Sequence, residues 1–297
     1  ASLLAPRSLE EALDRLSGAA VQPLAGGTDV YPGLVGRALG RPLLDLSRLG
    51  DLRGMGPKQS ADGTQWLRIG ALETWTALRE ASLPPGLEAL AQAAAEVGGR
   101  QVQNLGTLGG NLCNASPAAD GIPALLALDA QLELRSRQGS RRISVGDFVL
   151  GNRRTALAPG ELLVAIEVPL KSPSSGSSFL KLGHRRFLVI SIAMVAVQVD
   201  LDTAGRISHC AVAVGACSAA ARRLSTLEAR VTGLAPDQAP ASVANWMQSE
   251  RAALLSPLAP IDDVRGTSGY RLDAVAELIP RALSLALSES ISRGHRS

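Results

Sequence analysis

Apolar and polar positions follow helical spacing in some stretches of this chain and strand spacing in others. Ser8-Leu9-Glu10-Glu11 reads as a capping box, with Ser8 capping a backbone N–H and Glu11 reaching back. Leu9, Leu13 and Leu16 then mark one face of a short helix. Ala20 to Ala25 is an apolar run that stops at Gly26-Gly27, which predicts a buried strand entering a tight loop. Leu43 to Leu46 and Leu67 to Leu72 predict further strands. Gly86 to Val97 is rich in Ala, Leu and Glu and closes on Gly98-Gly99, so it predicts a helix. Arg100 to Asp120 follows as a long polar, glycine-rich stretch. Ile122 to Leu128 predicts a short helix, Gln131 to Arg135 a half-buried strand and Leu162 to Leu170 another strand.

Lys171 to Ser178 is rich in Ser, Pro and Gly and reads as a linker. Beyond it, Ser191 to Asp202 and Ile207 to Gly215 predict a hairpin turning at Asp202-Thr203-Ala204-Gly205. Leu224 to Val231, Ser242 to Leu254 and Ser268 to Ser288 predict helices. Strands followed by helices favour an α+β architecture over a doubly wound sheet.

The chain has 297 residues, enough for two or three packed units around sizeable cores. At 46% hydrophobic and 19% charged it is not a disordered chain. A net charge of +3 argues against a dedicated nucleic-acid binder, and 3% aromatics leave little for base stacking. Ala1 to Glu10 shows no secretory signal, and no apolar run reaches the length of a membrane span. Cys113, Cys210 and Cys217 are odd in number and far apart, so a disulfide framework is not expected and a cytoplasmic setting is. Cys210 and Cys217 read as buried small apolar residues, and His184 as a surface residue. Arg135, Arg137, Arg141 and Arg142 read as a solvated hairpin.

Two segments carry candidate chemistry. In Pro23-Leu24-Ala25-Gly26-Gly27-Thr28-Asp29-Val30 the glycine pair lets the backbone approach a ligand and present consecutive N–H groups to phosphate oxygens, and Thr28 adds a hydroxyl. No lysine follows at Walker spacing, and for this motif alone a plain glycine turn is the better reading. Thr107-Leu108-Gly109-Gly110-Asn111 repeats the same devices, and Asp120 places a carboxylate beyond it. Two such loops suit the two phosphates of a dinucleotide, while the absence of G-x-G-x-x-G excludes a Rossmann fingerprint.

Ala25 to Asp29, Thr107 to Asn111 and Ala115-Ser116-Pro117-x-x-Asp120, taken in series, resemble the FAD-binding (medium) subunit of molybdenum hydroxylases, the xanthine and carbon monoxide dehydrogenase type. Phe179-Leu180-Lys181 with Arg185-Arg186, and Pro260 to Gly266 with Tyr270-Arg271, resemble later segments of that family. The resemblance implies a vanillyl-alcohol-oxidase (PCMH-like) FAD-binding region over residues 1–173, with subdomains at about 1–55 and 56–173, and a C-terminal α/β domain over 174–297. It implies that Pro23 to Val30 and Thr107 to Asn111 form the two pyrophosphate loops. It further implies that Asp120 binds the adenosine side of FAD, that Leu163 contacts the cofactor and that Lys181 stands near the flavin. Ile190 has two readings, packing over the flavin ring or a core strand position, and the residues favour the second.

The resemblance also implies partners. A molybdopterin-binding large subunit would hydroxylate the substrate, and a [2Fe-2S] small subunit would pass electrons to FAD on this chain. NAD, oxygen or a quinone would then accept them, in a dimer of heterotrimers. Two other readings compete: a self-sufficient FAD oxidase or dehydrogenase of the vanillyl-alcohol oxidase superfamily, and a non-redox nucleotide-binding assembly protein. The first would need a substrate cap with His or Tyr acid–base groups, in a chain with three histidines and two tyrosines.

Overall fold

The computed structural model describes residues 2–18, 20–36, 40–185 and 189–294; Arg186, named above, lies outside the described residues. Leu3–Leu4, Leu43–Asp45 and Gln22–Leu24 form a small parallel sheet with Leu43–Asp45 in the middle. The helix Leu9–Gly18 connects its outer strands. Its cap departs from the predicted box. The Ser8 hydroxyl accepts from the Glu11 N–H at 3.2 Å, but the Glu11 carboxylate accepts from the N–H of Arg7 at 2.9 Å, not from that of Ser8. Leu9, Leu13, Val21 and Leu44 close a core shared with Leu162 and Val164 of the next sheet. The strand Gln22–Leu24 therefore ends at a fixed point and delivers the first glycine segment there.

The second unit is a five-stranded antiparallel sheet, in the order Met55–Gln59, Gln65–Gly70, Leu162–Pro169, Gln131–Ser136, Gly139–Ser144. Helices over 75–127 cover it through a core that includes Ile69, Trp75, Leu90, Leu112, Leu125 and Ile166. The polar stretch Arg100 to Asp120 contains the helices Arg100–Leu105 and Leu108–Asn114, so the second glycine segment, expected as a loop, is mostly helix. Glycine lowers intrinsic helix propensity by about 1 kcal/mol per residue, so the sequence pattern hides these turns. Tertiary contacts impose them. Thr107 caps the second helix by accepting from the Gly110 N–H at 3.0 Å, and the Gly109 N–H donates to the Ala71 carbonyl at 2.9 Å. On the outer hairpin Arg141 is paired with Glu161, Arg142 with Glu167 and Arg137 with Asp14, so these arginines are ion-paired and not merely solvated.

The third unit is a four-stranded antiparallel sheet, Ser175–Leu182, Ala193–Leu201, Ile207–Gly215 and Arg222–Arg223. The hairpin and its turn are as predicted, with Asp202 Oδ1 accepting from the Ala204 and Arg206 N–H groups and Gly205 at φ 75°. Both faces of this sheet are buried. Val195, Val197, Val199, Val212 and Val214 meet the C-terminal helices, while Met194, Ala196, Ala211 and Ala213 meet Ala89, Ala93, Ala124 and Ala127 of the second unit. Period-two alternation here separates large from small side chains, not apolar from polar ones. Cys210 and Cys217 are buried as expected, and burial pushes their thiols up to about 12. The predicted helix Ser242 to Leu254 is two, Ala239–Ser249 and Arg251–Leu254, broken at Glu250, whose φ of −131° is not helical. Ile190 is half-exposed and precedes its strand, contrary to its reading as a core position.

The second half of the predicted linker is buried strand. Ser175 to Ser178 lie against the long helix Ser268–Gly294, where the Ser178 hydroxyl donates to the Ala282 carbonyl at 2.7 Å and Ser290 donates to the Ser174 carbonyl. Small residues are needed there because the helix backbone approaches the strand: a Cβ on Gly176 would lie 2.1 Å from the Ala286 oxygen. Composition alone cannot separate a Ser/Gly linker from a Ser/Gly packing stripe. Gly176→Val should therefore destabilise the protein by about 1–3 kcal/mol or more, as overpacking does. Urea unfolding followed by circular dichroism checks it; an unchanged midpoint would refute the close approach.

Candidate functional site

A cavity of about 510 Å³ opens where the first glycine segment meets the second. Pro23, Ala25, Gly26, Gly27, Thr28, Asp29, Val30, Thr107, Gly109, Gly110, Asn111 and Leu163 all line it. Leu24 and Leu108 belong to the same segments but are buried in the core. Asp120 and Lys181 are not among the lining residues.

The two segments meet backbone to backbone. A Cβ on Gly26 would lie 1.7 Å from the Leu105 carbonyl oxygen, so glycine here serves the docking of one segment on the other. Gly27 adopts φ +70°, and the Tyr31 ring lies so close over it that a Cβ would meet that ring at 2.4 Å. The amides of Gly26, Gly27, Thr28, Asp29 and Val30 donate to no acceptor among the described residues. Unpaired backbone donors are uncommon in folded proteins unless water or a ligand takes them, and five in a row form an anion-binding concavity. The side-chain oxygen Oδ1 of Asn111, in the same cavity, is buried without a partner.

The second segment contributes differently from the expected loop. The Leu108, Gly109 and Gly110 amides are taken by the carbonyls of Glu73 and Ala71 and by Thr107 Oγ1. A Cβ on Gly109 would strike the Ala71 carbonyl at 2.6 Å, so that glycine seats the helix on the sheet. A Cβ on Gly110 would meet only Thr107 Oγ1, at 2.9 Å, and Ala25 Cβ, at 4.0 Å, so Gly110 keeps the cavity open.

Other residues of the site carried less signal. Trp75, Val97 and Leu157 supply apolar wall. Trp75 follows the cap Thr74 and was accessible as the start of a helix, but nothing local placed it beside the glycines. Arg153 joins the two segments at the rim: its Nη1 donates to Asp29 Oδ2 at 2.9 Å and to Asn114 Oδ1 at 2.6 Å. Arg153 has φ 53°, a left-handed conformation with no signature in an Asn-Arg-Arg-Thr stretch.

Asp120 and Lys181 form a buried ion pair at 2.9 Å, one layer behind the wall. Ser191 Oγ donates to Asp120 Oδ1 at 2.9 Å, and Lys181 Nζ also donates to the Glu96 carbonyl at 3.1 Å. Burial pushes the Asp120 carboxyl up from the usual aspartate range, against the opposing pull of the Lys181 ammonium and the Ser191 hydroxyl. Among the described residues, no group of three or more His, Cys, Asp or Glu could hold a metal, and no helix is long and apolar enough to cross a membrane.

Residues 1–171 match the family described as the FAD binding domain in molybdopterin dehydrogenase, and residues 178–286 match the CO dehydrogenase flavoprotein C-terminal domain. The chain is 31% identical over 268 residues to the xanthine dehydrogenase FAD-binding subunit of Escherichia coli O157:H7, covering 89% of this chain and 88% of the relative. It is 32% identical over 289 residues to the carbon monoxide dehydrogenase medium chain of Afipia carboxidovorans, covering 95% and 94%. A solved carbon monoxide dehydrogenase from Hydrogenophaga pseudoflava superposes with a TM-score of 0.86 at 28% identity, over 97% of each chain. A cavity bordered by free amides fits the dinucleotide for which the matched FAD binding domain and the Escherichia coli subunit are named. The chain belongs to the family of FAD-binding subunits of molybdenum hydroxylases of the xanthine and carbon monoxide dehydrogenase type.

Proposed function

We propose that this chain is the electron-transfer subunit of a cytoplasmic heterotrimeric molybdenum hydroxylase. It stands between a [2Fe-2S] small subunit and an acceptor such as NAD, oxygen or a quinone. A molybdopterin-binding large subunit carries the substrate chemistry, and two heterotrimers associate. Residues 1–173 form the FAD-binding region and 174–297 the C-terminal domain of this reading. The observation that carries it is the run of unpartnered amides from Gly26 to Val30 beside the orphaned oxygen of Asn111.

Bound FAD supplies redox chemistry that no side chain has, and the protein supplies binding, orientation and electrostatics. The Pro23 to Val30 segment holds the diphosphate through its amides and the Thr28 hydroxyl. Thr107 to Asn111 closes the other side, with Gly110 leaving room and Asn111 offering its acceptor. Leu163, Val97 and Trp75 give an apolar wall that excludes water. No histidine lines the cavity among the described residues, and the neighbouring Tyr31 ring packs on Gly27, an arrangement that fits electron transfer better than a self-sufficient oxidase with its own acid–base groups.

Purified from its native host, the chain should arrive with two further polypeptides, one carrying molybdenum and one iron–sulfur, and with a flavin absorbance that bleaches on reduction. An active, flavin-loaded lone chain would exclude the subunit reading. Gly110→Leu should lose most of its FAD on gel filtration with a smaller fall in the thermal midpoint of the FAD-free protein than Gly109→Leu suffers. Reversal of that order would remove Gly110 from the site. Arg153→Ala should speed FAD dissociation, and added salt should narrow the difference from wild type because the clasp is exposed. Stopped-flow flavin fluorescence measures both.

A further inference from the structure

Trp75 is held against the second glycine segment by its backbone. Its N–H donates to the Gly106 carbonyl at 3.2 Å, and the preceding Thr74 pairs with Thr107 and caps the helix Trp75–Glu80. The indole is held as closely. A Cβ on Gly106 would meet Trp75 Cδ1 at 3.3 Å and Thr28 Oγ1 at 3.4 Å, so this corner of the ring and the Thr28 hydroxyl border one small space. At the other corner, a Cβ on Gly121 would meet Trp75 Cη2 at 2.5 Å and Asn111 Oδ1 at 3.1 Å. One edge of the ring thus runs from Thr28 to Asn111. Nε1 lies on that edge, bonded to Cδ1 at the Thr28 end.

The indole N–H is a donor with no acceptor function, and a buried tryptophan usually finds it a partner. This one has none among the described residues. Trp66 Nε1 is unpartnered too, but sealed inside the protein, whereas Trp75 Nε1 is not sealed. The Trp75 side chain is 2% exposed and lines the cavity, so the space its N–H meets is the cavity.

The neighbours decide which ligand atom suits that donor. The Thr28 hydroxyl is also without a partner among the described residues, and the amides from Gly26 to Val30 are free. Converging donors of this kind are satisfied by an anion. The unpartnered acceptor, Asn111 Oδ1, stands at the far end of the ring from Nε1. We infer that Trp75 is a cofactor-binding residue: its indole N–H donates to a phosphate oxygen of the dinucleotide, joining the amides and hydroxyl of the first segment in holding the diphosphate. The inference rests on FAD occupying the cavity. The ring still serves as wall, and the N–H adds a hydrogen bond to a charged oxygen, a class of bond roughly twice as strong as a neutral one.

The test uses the whole chain, stripped of FAD and titrated with FAD and, separately, with ADP, which carries the diphosphate without the flavin. Trp66→Phe and Trp246→Phe leave Trp75 as the sole tryptophan. Expression on β-(3-benzothienyl)alanine then puts sulfur in place of its N–H and keeps the bicyclic ring. The exchange should weaken FAD and ADP alike, by about tenfold or more. The thermal midpoint of the FAD-free protein and the midpoint potential of the bound flavin should stay as they were. A loss confined to FAD, with a shifted potential, would give the N–H to the flavin ring and overturn the inference. Unchanged affinity for both ligands would overturn it too, leaving the indole as wall alone. Should the doubly substituted background not fold, Trp75→Phe in the otherwise unaltered chain should weaken FAD and ADP by equal factors, and a loss of FAD affinity alone would count against the phosphate contact. Failure of the unaltered chain to bind FAD would overturn the cofactor assignment, and this inference with it.

Discussion

Where Gly26 lies on the carbonyl of Leu105, only a hydrogen atom fits between two stretches of backbone. That contact brings together segments far apart in sequence and makes one cavity of them. The strand Gln22–Leu24 sets the approach from one side, and the helices Arg100–Leu105 and Leu108–Asn114 from the other. The residues from Gly26 to Val30, whose amides meet no acceptor among the described residues, line that cavity. Arg153 then ties the two halves at the rim.

A second constraint acts at longer range. The four-stranded sheet buries both faces, with valines toward its own helices and alanines toward the FAD-binding region. Side chains as small as alanine bring helix and sheet close, and close packing leaves little room for sliding. The ion pair of Asp120 and Lys181 sits on the same boundary, where low solvent access strengthens it and makes its loss severe.

Much of this was legible in the amino-acid pattern, and the failures share a cause. The helix Leu9–Gly18 and the hairpin of Ala193–Leu201 with Ile207–Gly215 announce themselves because local spacing and local turn chemistry agree. Both glycine segments were visible as candidates, and most of their residues do line one cavity. Their division of labour was not visible, because a glycine that admits a ligand and a glycine that admits another backbone look alike in sequence. Gly109 and Gly110, adjacent in the chain, differ in this way. The Ser-rich stretch before Phe179 was misread for the same reason: small polar residues mark a solvated connection or a tight helix contact, and only the partner helix decides. Arg153 and the pairing of Asp120 with Lys181 depend on contacts remote in sequence, for which no local rule exists.

The alanine boundary between sheet and helices bears on how such chains diverge. A break near residue 175 looks like a natural place to exchange halves between relatives, since two family descriptions meet close to it. Yet the helices Glu88–Glu96 and Gly121–Ala127 form part of the core under the sheet that follows. Recombination there would separate surfaces shaped for each other at methyl-group resolution. Functional chimeras would need these two helices to travel with the C-terminal sheet, so the evolutionary unit of inheritance is discontinuous in sequence although the chain is read as two consecutive modules.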